Sequence, residues 1–399
     1  MRSVELGFQQ ARCHPAHSSF VFWIAYMPNR PGHVLKAGFR KLLHTAAKPM
    51  KSQRAHGGRV IHTYRGYGSQ KEAFLMGRVF RQPGLGLSLA ENSTLQDVVD
   101  IVRRTVRWGV GSTEVSIALG ENSLVVTTDR DGYFYAHIPI ESPLPADVNW
   151  HTAALETVSQ QGTVTTASAQ VYIPPPEVDI AVISDIDDTV MYTGVANKLR
   201  MMYRLFMEKA DERTAFPGVA AFYQGLYVGK DGDRKRPLLY VSRAPWSIYE
   251  VLEAFFNANH IPVGPVLFLR EWGLTLQRPL PRKAEDHKEN LIKKMLELYD
   301  KLPFVLIGDS GQHDPEIYTQ IVKDHPGRIT AIYIRNVNND ASRDEAIQRL
   351  AAEVADTGCT LVLAADSAAM AEHAYEQGYI SRQALEAVRQ SQSGPEEPR

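Results

Sequence analysis

Two patterns of apolar residues divide the chain. From about residue 57 to 175, short segments rich in β-branched and aromatic residues recur: GRVIHTYRGY, AFLMGRVFR, EVSIAL, NSLVVTTD, GYFYAHIP and TVTTASAQVYI. Each predicts a strand. Turn residues separate them, among them Asp131-Gly132 in a DRDG sequence, which reads as a hairpin turn. A calcium loop is excluded there because its remaining ligands do not follow. One amphipathic stretch, TLQDVVDIVRRTVRW, predicts a helix inside this run. The whole predicts a β-sandwich-like domain of about 120 residues.

The pattern changes after Ile173-Pro174-Pro175-Pro176, a stiff hinge. VDIAVIS, RPLLYVS, GPVLFLR, PFVLIG, RITAIYI and CTLVLAA are continuous apolar runs. Helix-period stretches stand between them: WSIYEVLEAFFNANH, AEDHKENLIKKMLELYD, DEAIQRLAAEVAD and SAAMAEHAYEQG. Such alternation predicts an α/β fold with a Rossmann-like parallel sheet covered by helices on both faces. Its ligand belongs beyond the carboxyl ends of the strands. The expected organisation is a basic, partly amphipathic extension over residues 1–56, the smaller β-rich domain over 57–175, the α/β domain over 176–388 and a disordered tail over 389–399.

With 399 residues, 44% of them hydrophobic and 22% charged, the chain can bury a large core, which excludes wholesale disorder. A net charge of -1 argues against a nucleic-acid partner. Cys13 and Cys359 are the only cysteines, too few for a disulfide framework or a structural zinc site, so a reduced, cytoplasmic setting is the expectation. No apolar run reaches the roughly 18–20 residues of a spanning helix. The run at 20–26 follows Glu5, Gln9 and Gln10 and lacks a small-x-small cleavage site, so it reads as part of an extension, not a secretion signal. The average charge hides a local bias, because residues 6–71 contain no Asp or Glu. Arg30, Lys36, Arg40, Lys41, Lys48, Lys51, Arg54 and Arg59 all fall there. VLKAGFRKLLHTAAKPM places Val34, Leu35, Phe39, Leu42 and Leu43 on one helical face. Residues 30–59 can therefore lie on an anionic membrane, which would make the protein peripheral; the alternative is a helix packed on its own domain.

The strand ends carry the chemistry. The first strand of the α/β domain ends in Asp185-Ile186-Asp187-Asp188-Thr189. Three carboxylates in four residues repel one another unless a cation or a proton intervenes. An acidic turn or helix cap is the alternative. An EF-hand fails, with Val190 where Gly is required and Ala196 where the bidentate Glu belongs. The second strand ends in Ser242, whose hydroxyl and neighbouring N–H groups can hold a phosphate oxygen or simply cap a helix. Lys288 stands in the first turn of a helix, where a cation is disfavoured, so a compensating anion is expected unless the side chain is solvated. The fourth strand ends in GDSGQHD and adds Asp309 and Asp314. Together these are the parts of phosphoryl transfer through an aspartyl-phosphate, and hard oxygen ligands without a His/Cys cluster favour Mg2+. A Walker loop is absent, since Gly225 to Lys230 is too short, and so is a GxSxG elbow.

DIDDT, YVSRAPW, FLREWG, HK and LIGDSGQHDPEIY resemble the motifs of the haloacid-dehalogenase-like phosphohydrolases. More narrowly, residues 178–385 resemble the magnesium-dependent phosphatidate phosphatases of the actin-patch-protein type, including their bacterial relatives. The β-rich region with its DRDGYF turn is similar to the region upstream in such proteins. The resemblance implies hydrolysis of phosphatidate to diacylglycerol and phosphate. Carried over, it makes Asp185 the nucleophile, Asp187 the general acid and then base, and Thr189 a brace for the turn. Ser242 would hold the phosphoryl group and Lys288 would offset its charge. Asp309, with Asp314 directly or through water, would bind Mg2+ together with Asp185 and the carbonyl of Asp187.

Only 57 residues lead from Asp185 to Ser242 and 46 from Ser242 to Lys288, so the expected cap is minimal. The amphipathic stretch NKLRMMYRLFMEKA is either a small lid or a helix packed on the sheet. An open site suits a lipid head group; the alternatives are a phosphoprotein, a soluble phosphate ester, or a non-enzymatic membrane scaffold with a decayed site. A phosphomutase is excluded for want of a large cap.

Overall fold

The structure, a computed structural model, describes residues 58–81, 108–190, 215–242, 249–268, 284–337 and 340–392. The apolar run 20–26, the amphipathic helix of 34–50, almost all of the basic segment 30–59 and the stretch 197–210 lie outside them. So do residues 243–246 and 269–273 of the motifs and all but the last residue of the helix expected over 94–108. That last residue, Trp108, is in a strand and pairs with Arg81. Residues 56–399 form one compact unit.

The first part of this unit is a nine-stranded sheet. Its strands are β1 (Arg59–Thr63), β2 (Gly66–Gly68), β3 (Glu72–Arg81), β4 (Trp108–Gly109), β5 (Glu114–Leu119), β6 (Asn122–Thr127), β7 (Tyr133–Pro139), β8 (Trp150–Val158) and β9 (Val164–Tyr172). They follow the path β1-β3-β2-β9-β8-β5-β6, with β4 and β7 both pairing β3. Alternation explains the strands: in β5, Val115, Ile117 and Leu119 point inward and Glu114, Ser116 and Ala118 outward. Strand β8 was not expected. It alternates as strictly, but Ala and Glu, poor strand formers, fill WHTAALETV. The Asp131-Gly132 turn is present, with Gly132 at φ 82° and Asp129 Oδ1 accepting from the N–H groups of Asp131 and Tyr133. It does not close a hairpin: β6 pairs β5 while β7 pairs β3, so the turn carries the chain between different parts of the sheet.

The second part is a six-stranded, wholly parallel sheet. Its strands are β10 (Ala181–Asp185), β11 (Leu238–Ser242), β12 (Val266–Phe268), β13 (Phe304–Asp309), β14 (Ile329–Arg335) and β15 (Thr360–Ala364). The helices are α1 (Val219–Val228), α2 (Tyr249–Ala258), α3 (Ala284–Leu298), α4 (Asp314–Asp324), α5 (Ala341–Ala355), α6 (Ser367–Glu376) and α7 (Arg382–Gln392). One face of the sheet packs on Phe222, Leu226, Leu252 and Phe256 of α1 and α2, and on α6 and α7. The other packs on Ile292, Tyr318, Ile321 and Ile347 of α3 to α5. Strands covered on both faces must be apolar throughout, and β10, β11 and β13 are buried at every position. Helix α7 runs through Gln392, into the segment expected to be disordered; Leu385 and Val388 anchor it and Arg389 pairs with Glu372 at 2.8 Å.

The strand order is β12-β11-β10-β13-β14-β15. The chain moves outward one way from β10, then returns to start the other way at β13. The crevice beyond the carboxyl ends of β10 and β13 is thus the switch point of a doubly wound sheet, where such folds bind ligands. The two sheets share packing: Tyr64 and Met76 join the core over α2, and Arg65 Nε lies 2.9 Å from Glu253.

Candidate active site

Strand β10 delivers Asp185 to the switch point, and its neighbours fix where the strand stops. Tyr223 OH and Ser184 Oγ are 2.5 Å apart, and Ser184 Oγ donates to the carbonyl of Asp185 at 2.7 Å. Ile186 N–H donates to Val241 O at 3.1 Å, the last bond of the ladder. The chain then turns sharply. Asp188 takes a left-handed φ of 55°, and Val190 N–H returns to Ile186 O at 3.0 Å. A left-handed Asp is among the cheaper non-glycine choices, because its short side chain can bond locally.

Opposite this turn stand the ends of β13 and α3. Asp185, Lys288 and Asp314 are fully buried. Lys288 Nζ lies 2.8 Å from Asp185 Oδ1 and 2.5 Å from Asp314 Oδ1, so the cation expected to need an anion has two. Asp309 Oδ1 accepts from the N–H groups of Gly311 at 2.8 Å and Gln312 at 3.0 Å. Asp185, Asp309 and Asp314 offer oxygens that all lie within 4.8 Å of one another. Asp314 begins α4, where the helix dipole favours an anion. It sits so close to β13 that a Cβ on Gly308 would collide with its carboxylate.

The remaining expected residues border this group. Ser242 ends β11 one residue beyond Val241, the register partner of Asp185, and is fully buried. The Asp187 side chain is buried, and its carbonyl lies 3.4 Å from Gln312 Nε2. Thr189 is buried; its carbonyl accepts from Arg335 Nε at 3.1 Å. The structure thus joins Asp185, Lys288, Asp309 and Asp314 directly and sets Asp187, Thr189 and Ser242 around them.

Two participants were not foreseen. Gln312 reaches from the loop after β13 across Asp309 to Asp185 and Asp187. Arg343, on α5, donates from Nε to Ser310 O at 2.9 Å and from its terminal nitrogen to Gln312 O at 2.8 Å, clamping that loop. Gln312 was visible inside GDSGQHD; nothing in the sequence marks Arg343, whose role depends on where α5 packs.

The charges do not balance. Three buried carboxylates against one ammonium leave two negative charges over, which fits a divalent cation held by oxygen. Burial, then the carboxylates of Asp314, Asp187 and Asp309, push Asp185 well above the ordinary range, and Lys288 pulls it back. Asp309 is pushed from 3.8 to about 7, chiefly by burial and then by Asp314. Burial pulls the Lys288 ammonium down, but Asp185 and Asp314 outweigh it and hold it above its usual value.

A pH dependence follows. A carboxyl raised on folding keeps its proton where the unfolded chain has lost it. Its contribution is complete below the unfolded value of 3.8 and is lost as the pH rises through the folded value of about 7. Without a divalent ion, the melting temperature is expected to fall as the pH rises from about 5 to about 7.5. Added cation is expected to recover more at the upper end, where its ligands are ionised. A cation-induced shift equal at both ends counts against the site.

Residues 180–336, which hold every one of these site residues except Arg343, match the family model described as phosphatidate phosphatase APP1, catalytic domain. Over 163 residues the chain is 34% identical to phosphatidate phosphatase APP1 of Saccharomyces cerevisiae, covering 41% of this chain and 27% of that protein. Over 220 residues it is 27% identical to an uncharacterized protein of Schizosaccharomyces pombe, covering 54% of this chain and 35% of the other. The chain therefore spans about a quarter to a third of the length of these relatives. A carbohydrate acetylesterase from Xanthomonas citri aligns over 73% of this chain and 72% of its own at 8% identity, but with a TM-score of 0.25 the likeness carries no argument.

Proposed function

Residues 180–336 belong to the APP1-type phosphatidate phosphatase family, and from this we propose that the chain is a Mg2+-dependent phosphatidate phosphatase working through an aspartyl-phosphate. We read residues 176–388 as a haloacid-dehalogenase-like domain with a minimal cap, and 57–175 as a β-rich, sandwich-like domain before it. The observation that carries the reading is the bridging of Asp185 and Asp314 by Lys288, beside Asp309, at the switch point of the parallel sheet.

Lys288 holds Oδ1 of Asp185 in place and spreads its charge. Asp185, Asp309 and the carbonyl of Asp187, with Asp314 directly or through water, would hold Mg2+, which when bound would supply the positive charge that lets two anions approach. A carboxylate oxygen of Asp185 attacks phosphorus and the bond from phosphorus to the diacylglycerol oxygen breaks. Asp187 gives that oxygen its proton. Asp187, now ionised, takes a proton from water, whose oxygen attacks the aspartyl-phosphate and releases phosphate. Ser242 and its N–H neighbours would hold the phosphoryl oxygens through both steps, and Thr189 would brace the turn through its carbonyl bond to Arg335.

Asp187→Asn is expected to lower turnover by about 10²- to 10⁴-fold while leaving the melting temperature unchanged; activity within twofold of wild type removes Asp187 from the mechanism. The substrate class is tested by comparing phosphatidate in mixed micelles, phosphopeptides and an aryl phosphate, with and without Mg2+. Phosphatidate is expected to be preferred; a phosphopeptide hydrolysed faster sinks the lipid reading. No helix among the described residues is long and apolar enough to cross a membrane. We propose that the chain meets phosphatidate as a cytoplasmic, peripheral protein through residues 30–59, each cation near an anionic surface contributing about 1 kcal/mol.

A further inference from the structure

We propose that Gln312 is part of the cation site: its side-chain amide stands among the oxygens assigned to the ion, and its Oε1 turns toward the ion when one is bound. The inference rests on reading the carboxylate cluster as a divalent-cation centre. Gln312 is 8% exposed. Its Nε2 lies 2.8 Å from Asp309 Oδ2, 3.4 Å from the carbonyl oxygen of Asp187 and 3.5 Å from Asp185 Oδ2. Only the first is a short hydrogen bond; the other two are long, as for a donor placed centrally among several acceptors. These oxygens come from three residues separately assigned to the ion. The electropositive end of one amide therefore stands where a cation would be drawn.

The other end of the same amide is unsatisfied. Gln312 Oε1 is buried without a hydrogen-bond partner, although buried carbonyl oxygens are nearly always paired. A cation on the three oxygens would repel the N–H2 group and attract the C=O. Half a turn about the last side-chain bond exchanges them and gives the orphaned oxygen a partner, either the ion or water bound to it. The backbone does not have to move. Gln312 N–H is held by Asp309 Oδ1 at 3.0 Å and its carbonyl by Arg343 at 2.8 Å, so only the amide is free to reorient. A neutral oxygen also suits the charge count, since the carboxylates and Lys288 already offset a divalent ion.

The test titrates the full-length chain with Mg2+ alone, by calorimetry and by melting with and without the ion, for the wild type, Gln312→Met and Gln312→Glu. Methionine keeps the bulk and removes the amide; it is expected to weaken Mg2+ binding by about 10- to 100-fold, and to melt lower without the ion. Glutamate exchanges the N–H2 for an oxygen. It is expected to melt lower without Mg2+ and to bind Mg2+ at least as tightly as the wild type, and it carries the test if the methionine variant does not fold. A methionine variant that binds within twofold of the wild type, or tighter, overturns the proposal and leaves the cation centre standing. A glutamate variant that binds Mg2+ more weakly overturns it too. A wild-type chain that binds no Mg2+ removes the centre itself, and the proposal with it.

Discussion

Asp185→Asn is expected to reduce phosphate release by more than about 10⁴-fold while the protein melts no lower than the wild type. The activity loss follows from removing the atom that forms the covalent bond, since in groups of residues that act as a unit the nucleophile alone accounts for most of the rate. The stability result follows from the surroundings. Burial and the carboxylates of Asp314, Asp187 and Asp309 all disfavour the ionised form of Asp185. A neutral amide of the same shape relieves that cost. Lys288 loses one partner but keeps Asp314 at 2.5 Å. Steady-state assay together with thermal melting separates this outcome from a folding defect, and residual activity above about one per cent contradicts the assignment of Asp185 as nucleophile.

Lys288→Met is expected to be costly in the opposite way. Its ammonium is fully buried and lies within ion-pair distance of both Asp185 and Asp314. Removing one partner from a buried ionic cluster leaves uncompensated charge, worth about 3–5 kcal/mol of stability. Turnover should fall as well, because Asp185 loses the contact that orients it. The deficit is expected to shrink as the pH falls and Asp185 takes up its proton. Pairing the change with Asp185→Asn should recover part of the lost stability, as residues in direct contact are not additive. Denaturant unfolding of the four proteins of this cycle checks it. Independent, additive losses would show that Lys288 and Asp185 are not coupled.

What the sequence disclosed depended on whether a feature was local. Strands β10, β11, β13 and β14 were legible because burial on both faces demands uninterrupted apolar runs, and the polar residues closing those runs were legible as a site. That β10 and β13 are neighbours, which brings Asp309 to Asp185, is a property of the order β12-β11-β10-β13-β14-β15. Strand β8 was hidden by Ala153, Ala154 and Glu156, whose alternation is sound but whose side chains are not strand-like. Helix α1 was hidden because VAAFYQGLYV packs on the sheet and on α7 and carries little polar contrast. Helix α4 was concealed inside the motif it begins, with Asp314 serving both as first-turn anion and as partner of Lys288. Arg343 and Gly308 act through packing, one by clamping residues 310–312 and the other by leaving room for Asp314. Neither effect is written in the residues next to it.

The most direct measurement is an acid quench of the wild-type protein during turnover of phosphorus-labelled phosphatidate. With Mg2+ present, label is expected on the peptide containing Asp185, in a bond that hydroxylamine cleaves, and no label when the ion is chelated. Turnover that proceeds with the ion chelated, or label found on any other residue, would contradict the account.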